Sequence, residues 1–216
     1  MPYQLTTPAL GERLWIVGNP GTGKSKLATS LLAAVPDAII LDTKHDEEES
    51  YWRPLGRIVR GEEIYNVAEG RFVWDVPDSY TDDPEKFNTF FKWALGVGRR
   101  VIYVDEFNDI CGTATRYPYW FRRCYSRGRS RKLSMWGTTQ ELIRAPSFIF
   151  GLSQHRYAFA LGSPTQRKLA DEYMGTPIPW LDLPEPSPAT VRDGTAYRFV
   201  YKGPGTGMVG PVRLSV

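Results

Sequence analysis

The stretch Leu14-Trp15-Ile16-Val17-Gly18-Asn19-Pro20-Gly21-Thr22-Gly23-Lys24-Ser25-Lys26-Leu27 decides how the rest of the chain reads. Its first four residues are apolar with no polar alternation, which predicts a strand covered on both faces. From Lys24 onward Leu27, Leu31, Leu32 and Val35 recur on one helical face until Pro36, which cannot continue a helix. Between strand and helix, residues 18–25 fit G-x-x-x-x-G-K-[ST] in the strand-loop-helix setting that pattern needs. Composition alone, with 20 glycines in 216 residues, yields about one such match per hundred chains of this kind. Glycines let successive backbone N–H groups turn inward, making an anion cradle at the positive end of a helix. The expected ligand is ATP, held by Gly18, Asn19, Pro20, Gly21, Thr22, Gly23, Lys24, Ser25 and Lys26. Lys24 is placed to reach the β- and γ-phosphates, and Ser25 to offer its hydroxyl to Mg²⁺.

Further apolar runs at 38–41, 101–104 and 133–136 predict more doubly covered strands. A second helix is announced by Asp83 as cap and Pro84 in the first turn, carries Phe87, Phe90, Phe91, Ala94 and Leu95 as a core stripe, and ends near Gly96 or Gly98. A third runs from Ser163 and Pro164 to Met174, closed by Gly175, after a strand-like stretch at 156–161. Strands alternating with helices predict an α/β sandwich with right-handed crossovers, so residues 1–176 read as one core. After Gly175 five prolines (Pro177, Pro179, Pro184, Pro186, Pro188) predict an extended connector. A strand at 197–201 and a Gly-rich hairpin or tail follow. Residues 177–216 are thus expected to be an appendage of the same domain, packed on the sheet edge or on a neighbouring subunit.

Hydrophobic residues at 42% and charged residues at 24% exclude wholesale disorder and fibrous structure. No run approaches 18 apolar residues, and the first ten residues carry neither a basic region nor an apolar stretch. Neither a spanning helix nor a signal peptide is expected, and a cytoplasmic setting is the expectation that goes with this. Cys111 and Cys124 are the only cysteines, with His45 and His155 the only histidines, so buried thiols are expected rather than a zinc site or a disulfide. The net charge of +3 conceals an uneven distribution: Asp46 to Glu49 form an acidic block, while seven basic and no acidic residues lie between Arg116 and Lys132. The planar fork of arginine, the commoner base here, suits phosphate recognition.

The chemistry gathers at two strand ends. Val101-Ile102-Tyr103-Val104 runs into Asp105-Glu106, and in a parallel sheet that end meets the phosphate loop. Asp105 then holds the Mg²⁺ shell through water and Glu106 orients and polarises the attacking water, a pairing that suggests hydrolysis. Leu133-Ser134-Met135-Trp136-Gly137-Thr138-Thr139-Gln140 ends at the same rim in an amide suited to the γ-phosphate or the water. Read on chemistry alone, Gln140 is equally an ordinary strand-to-loop amide.

In order, a phosphate loop, a strand ending in Asp42-Thr43-Lys44, then Asp105-Glu106, Arg127-Gly128-Arg129 and a strand reaching Thr139-Gln140 resemble the FtsK/HerA superfamily of DNA-pumping ATPases. Within it the chain is similar to the compact genome-packaging ATPases of tailless viruses with internal membranes. The resemblance spans roughly residues 14–174. It implies a RecA-like three-layer P-loop sandwich of the additional-strand type, with a mainly parallel central sheet. It further implies a hexameric or similar ring on double-stranded DNA, capsid vertex or portal partners, and a place in the host cytoplasm and at the packaging vertex. An arginine from one subunit would enter the next subunit's site; Arg129 matches that position best, with Arg127 and Arg131 as substitutes. Thr43 stands where the family pattern has proline, and the membrane segments and DNA-reading domains of larger members have no counterpart here.

Arg127, Arg129 and Arg131 near the Gln140 strand suit transition-state charge on the γ-phosphate. Arg116, Arg122 and Arg123, interleaved with Tyr117, Tyr119, Trp120, Phe121 and Tyr125, suit DNA phosphates in a central channel, although core packing is the commoner use of such aromatics. A runner-up is a small-molecule or nucleoside kinase, with residues 122–131 as a lid. A guanine-reading TKxD is imitated by Thr43-Lys44-His45-Asp46, but that element precedes the acidic strand instead of following it.

Overall fold

The computed structural model describes residues 7–43 and 51–214. Nine strands form one sheet: β1 (Leu14–Val17), β2 (Ala38–Asp42), β3 (Arg57–Arg60), β4 (Arg71–Asp75), β5 (Val101–Val104), β6 (Ser134–Thr139), β7 (His155–Ala158), β8 (Arg198–Lys202) and β9 (Val209–Arg213). Their spatial order is β3-β4-β2-β5-β6-β1-β7-β8-β9. The first seven run parallel, and β8 and β9 continue the same sheet antiparallel. β6 lies between the phosphate-loop strand β1 and the acid-tipped strand β5, which is the additional-strand arrangement expected.

Because side chains alternate across a strand, each apolar run feeds both faces. Leu14 and Ile16, with Ile40 and Tyr103, pack against Leu27, Leu31 and Leu32 of helix α1 (Lys24–Ala33). Trp15 and Val17, with Leu41 and Val104, face the other layer. That layer is built from α3 (Phe87–Val97), α5 (Tyr119–Arg127), α6 (Ser147–Leu152) and α7 (Pro164–Met174). Shorter helices α2 (Asp78–Asp82), α4 (Phe107–Ile110) and α8 (Pro188–Arg192) sit in the connections.

Several boundaries move for local reasons. The Ala34 and Val35 N–H groups bond back to Leu31 and Leu32 as the chain turns into Pro36, so α1 ends at Ala33. Asp83 caps a 3₁₀ turn, Pro84–Lys86, by accepting the Glu85 N–H, and the α-helix begins only at Phe87. Gly175, at φ 67°, closes α7 in the left-handed conformation that glycine adopts freely. β7 stops at Ala158 rather than at residue 161. Residues 177–197 are not simply extended: they hold 3₁₀ turns at Trp180–Asp182 and Thr195–Tyr197 as well as α8. Both cysteines are buried and free, as expected. No helix among the described residues is long and apolar enough to cross a membrane. Lys44, His45 and the acidic block at 46–49 lie outside the described residues.

Candidate active site

The phosphate loop leaves β1 at Val17 and is folded by its own polar groups. Asn19 N–H donates to Ala160 O at 2.9 Å, and Thr22 Oγ1 donates to Asn19 O at 2.8 Å. Gly21 and Gly23 take φ values of 75° and 98°, conformations that side chains with a Cβ rarely adopt. A Cβ on Gly18 would come 2.6 Å from Phe159 Cβ, so the turn out of the strand accepts nothing larger than hydrogen there. Pro20 is exposed and Ser25 half-buried. Lys24 is buried, and its Nζ donates to Gly18 O at 2.8 Å and Asn19 O at 2.9 Å, folding back across the loop. Lys26 Nζ lies 4.2 Å from the centroid of the Tyr197 ring.

Asp105 and Glu106 leave the end of β5, both buried. Thr138 Oγ1 donates to Asp105 O, which ties the tip of β5 to β6. Glu106 caps the short helix α4: its Oε1 accepts Asn108 N–H at 3.3 Å, and its Oε2 accepts the Gln140 backbone N–H at 3.2 Å. Beneath them the Tyr103 phenol is pushed well up, first by burial and then by the negative charge of Asp105, so it stays neutral. Gln140 follows Thr139, the register partner of Val17, so it sits directly beside the start of the phosphate loop. With Glu106, Asp109 and Arg144 it lines a cleft of about 430 Å³. Thr43 enters the same cleft and donates its hydroxyl to Asp109 Oδ2 at 2.6 Å. Asp109 and Arg144 belong to no motif in the sequence, although they follow Glu106 and Gln140 by three and four residues.

The arginine run is not where the chain order suggests. Helix α5 descends antiparallel to the strands, so Arg127, Arg129 and Arg131 arrive at the start of β6, and Gln140 follows its end. Five residue steps of strand separate the rims, roughly 17 Å. Leu133 N–H bonds to Gly128 O, and Arg129 backs onto Gly11, ahead of β1. All three arginines are exposed, and none lies over the phosphate loop of its own chain, either as a finger or as a lid. Of the aromatics interleaved with Arg116, Arg122 and Arg123, Phe121 and Tyr125 are core, while Tyr119 is exposed. Arg116 and Arg122 are exposed and Arg123 is half-buried, over the Tyr119 ring.

No protein-family model matches the chain, and no curated protein matches it in sequence. Solved structures do match. The DNA-packaging ATPase B204 of Sulfolobus turreted icosahedral virus superposes with a TM-score of 0.68 at 17% identity, over 96% of this chain and all of that one. The genome-packaging NTPase B204 of Sulfolobus turreted icosahedral virus 2, in complex with AMPPCP, gives 0.67 at 14% identity, over 92% of this chain and 96% of that one. The cytoplasmic domain of the type VII secretion ATPase EccC from Thermomonospora curvata gives 0.57 at 14% identity, over 93% of this chain and 25% of that one. The chain therefore has, over nearly its whole length, the α/β P-loop fold that the viral packaging ATPases share with larger secretion ATPases, as the resemblance in its motifs implied.

Proposed function

We propose that this chain is a Mg²⁺-dependent ATPase that moves double-stranded DNA irrespective of sequence and packages a viral genome into a preformed capsid. The observation that carries the reading is the insertion of β6 between β1 and β5, which gathers the phosphate loop, Asp105-Glu106 and Gln140 on one rim. Structural neighbours that are packaging ATPases support it.

In this reading Lys24 exchanges its carbonyl partners for the β- and γ-phosphates, and the loop N–H groups neutralise the rest. Glu106 orients water and accepts its proton, and Gln140 senses the γ-phosphate. Ser25 and Asp105 would hold Mg²⁺. Their hydroxyl and carboxylate oxygens suit a hard cation, which when bound would neutralise charge on the phosphates.

Arg129, exposed on the far rim, serves a neighbouring copy, which makes the working unit a ring, a hexamer in the family pattern. Arg116 and Arg122 contact DNA phosphates, and capsid vertex or portal proteins anchor the ring. The test is ATP hydrolysis with and without duplexes of unrelated sequence, across a salt series, with native mass recorded at the same concentration. The expected result is assembly and equal stimulation by every duplex, falling steeply with salt. Full hydrolysis by a monomer indifferent to duplex overturns the reading, as does stimulation by a small phosphoryl acceptor in place of DNA.

A further inference from the structure

On the far rim, opposite the phosphate loop, lies a groove of about 380 Å³ that the proposed chemistry does not use. The segments that lead into five strands line it: Leu10 before β1, residues 35–37 before β2, Glu69 before β4, Arg99 before β5 and Lys132 before β6. Its floor is apolar, with Val35 buried and Leu10 49% exposed. Because the strands lie in the order β4-β2-β5-β6-β1, charge is sorted along the groove, with Glu69 and Asp37 at one end and Arg99 and Lys132 toward the other. Asp37 is already shared with Arg100 at 3.5 Å, whereas Glu69, Arg99 and Lys132 are exposed. Among the described residues, Arg99 and Lys132 are also the two non-glycine positions at positive φ, 53° and 55°. Backbone held in that sparsely populated region costs stability and collects where a side chain must be aimed at a partner. Arg99 N–H donates to Arg131 O at 2.9 Å and Lys132 N–H to Arg129 O at 3.1 Å, so both bases are fixed beside the Arg129 turn.

We infer that this groove receives the turn at residues 141–144 of a second copy of the chain, with Ile143 seated on Leu10 and Val35; the inference rests on the ring reading above and names the surfaces that meet. Ile143 is 53% exposed, and it stands between Glu141 and Arg144, which pair with each other at 3.5 Å on the surface. An apolar knob flanked by an acid and a base thus matches an apolar floor flanked by bases and acids: Glu141 goes to Arg99 and Lys132, and Arg144 to Glu69. The spacing agrees as well. Lys132 follows Arg129 by three residues and Ile143 follows Gln140 by three. An Arg129 that reaches the γ-phosphate beside a neighbour's Gln140 therefore brings the groove to that neighbour's Ile143. Arg144 lines the neighbour's cleft with Glu106 and Gln140. Docking draws it toward Glu69, so one cation leaves that cleft as Arg129 enters it.

The experiment uses the full chain with Mg²⁺, a non-hydrolysable ATP analogue and duplex DNA. Leu10→Cys and Ile143→Cys placed in one chain lie on opposite rims, so a short bismaleimide joins them only between copies, and the native thiols are buried. The expected product is a covalent ladder beyond the dimer, absent from either single variant. Ile143→Asp, at an exposed position that the fold does not need, should raise the concentration of half-assembly by at least about ten-fold in native mass measurements. Arg99→Glu with Lys132→Glu should weaken assembly too, and adding Glu141→Arg should recover most of that loss. If the unaltered chain assembles, but no ladder forms and Ile143→Asp assembles at the unaltered concentration, the groove pairing falls and the ring stands. If the unaltered chain hydrolyses ATP at full rate as a monomer, the ring reading itself falls.

Discussion

Glu106 Oε2 accepts the backbone N–H of Gln140 at 3.2 Å, so the carboxylate at the tip of β5 is clamped to the tip of β6, the strand beside the phosphate loop. Movement of the β6 tip therefore carries the proposed base with it. Glu106→Gln keeps an oxygen to accept that N–H but loses the negative charge that takes a proton from water. Turnover should fall by about 10²- to 10⁴-fold while ATP affinity changes little. Single-turnover hydrolysis beside equilibrium binding reads both. Unchanged turnover removes Glu106 from the chemistry. The contact is to the Gln140 backbone, so Gln140→Ala tests that side chain alone and leaves the clamp in place.

The parts of this arrangement that were legible in the sequence are local ones. β1, the phosphate loop and α1 follow one another within a few residues, each with its own signal, and β5 with Asp105-Glu106 is equally self-contained. β3 escaped because it is an edge strand: only Val59 is buried, and Arg57 and Arg60 face water, as edges often do. Helix α5 has Phe121, Cys124 and Tyr125 at helical spacing, but the arginines between them read as a basic run. The far-rim position of Arg129 was hidden by its closeness in sequence to Gln140, since the intervening strand carries the chain across the sheet. The approach of Tyr197 to Lys26 had no local signal at all, because it depends on the antiparallel return of β8 beside β7.

Gly137 makes the Glu106 clamp possible. A Cβ there would lie 2.5 Å from Phe107 Cε1 and 2.7 Å from Val104 O, both in segments that flank Asp105-Glu106. Gly137→Ala must displace the buried Phe107 ring or spread β5 from β6. Overpacking of this kind should cost about 1–3 kcal/mol of stability. Hydrolysis should fall more than the stability loss accounts for, since the displaced ring adjoins Glu106. Chemical denaturation and turnover on the same preparation check this, and normal values for both would show that the sheet yields freely.

Burial pushes the thiols of Cys111 and Cys124 far above the ordinary cysteine range, so at neutral or mildly alkaline pH almost none is present as thiolate. Cys124 is further engaged with Phe91 O at 3.3 Å. A maleimide or disulfide reagent should therefore leave the folded chain unlabelled at pH 8 and label two thiols in denaturant. Rapid native labelling would mean that the layer formed by α3 and α5 opens readily.

Arg129 and Lys24 sit on opposite rims of one sheet, and that separation makes complementation possible. Arg129→Ala should abolish most turnover of a pure assembly by removing charge from its neighbour's site, since fingers of this type contribute about 10³- to 10⁵-fold in rate. Its own phosphate loop stays intact. Lys24→Ala has the converse defect, a crippled loop with a competent arginine. In mixed rings some clefts pair the intact loop of the first with the arginine of the second, and activity should reappear with a maximum at intermediate ratios. The measurement is steady-state hydrolysis across a mixing series at constant total protein, with native mass confirming exchange. A flat line at the level of the parents, despite exchange, would mean that Arg129 serves no neighbouring cleft.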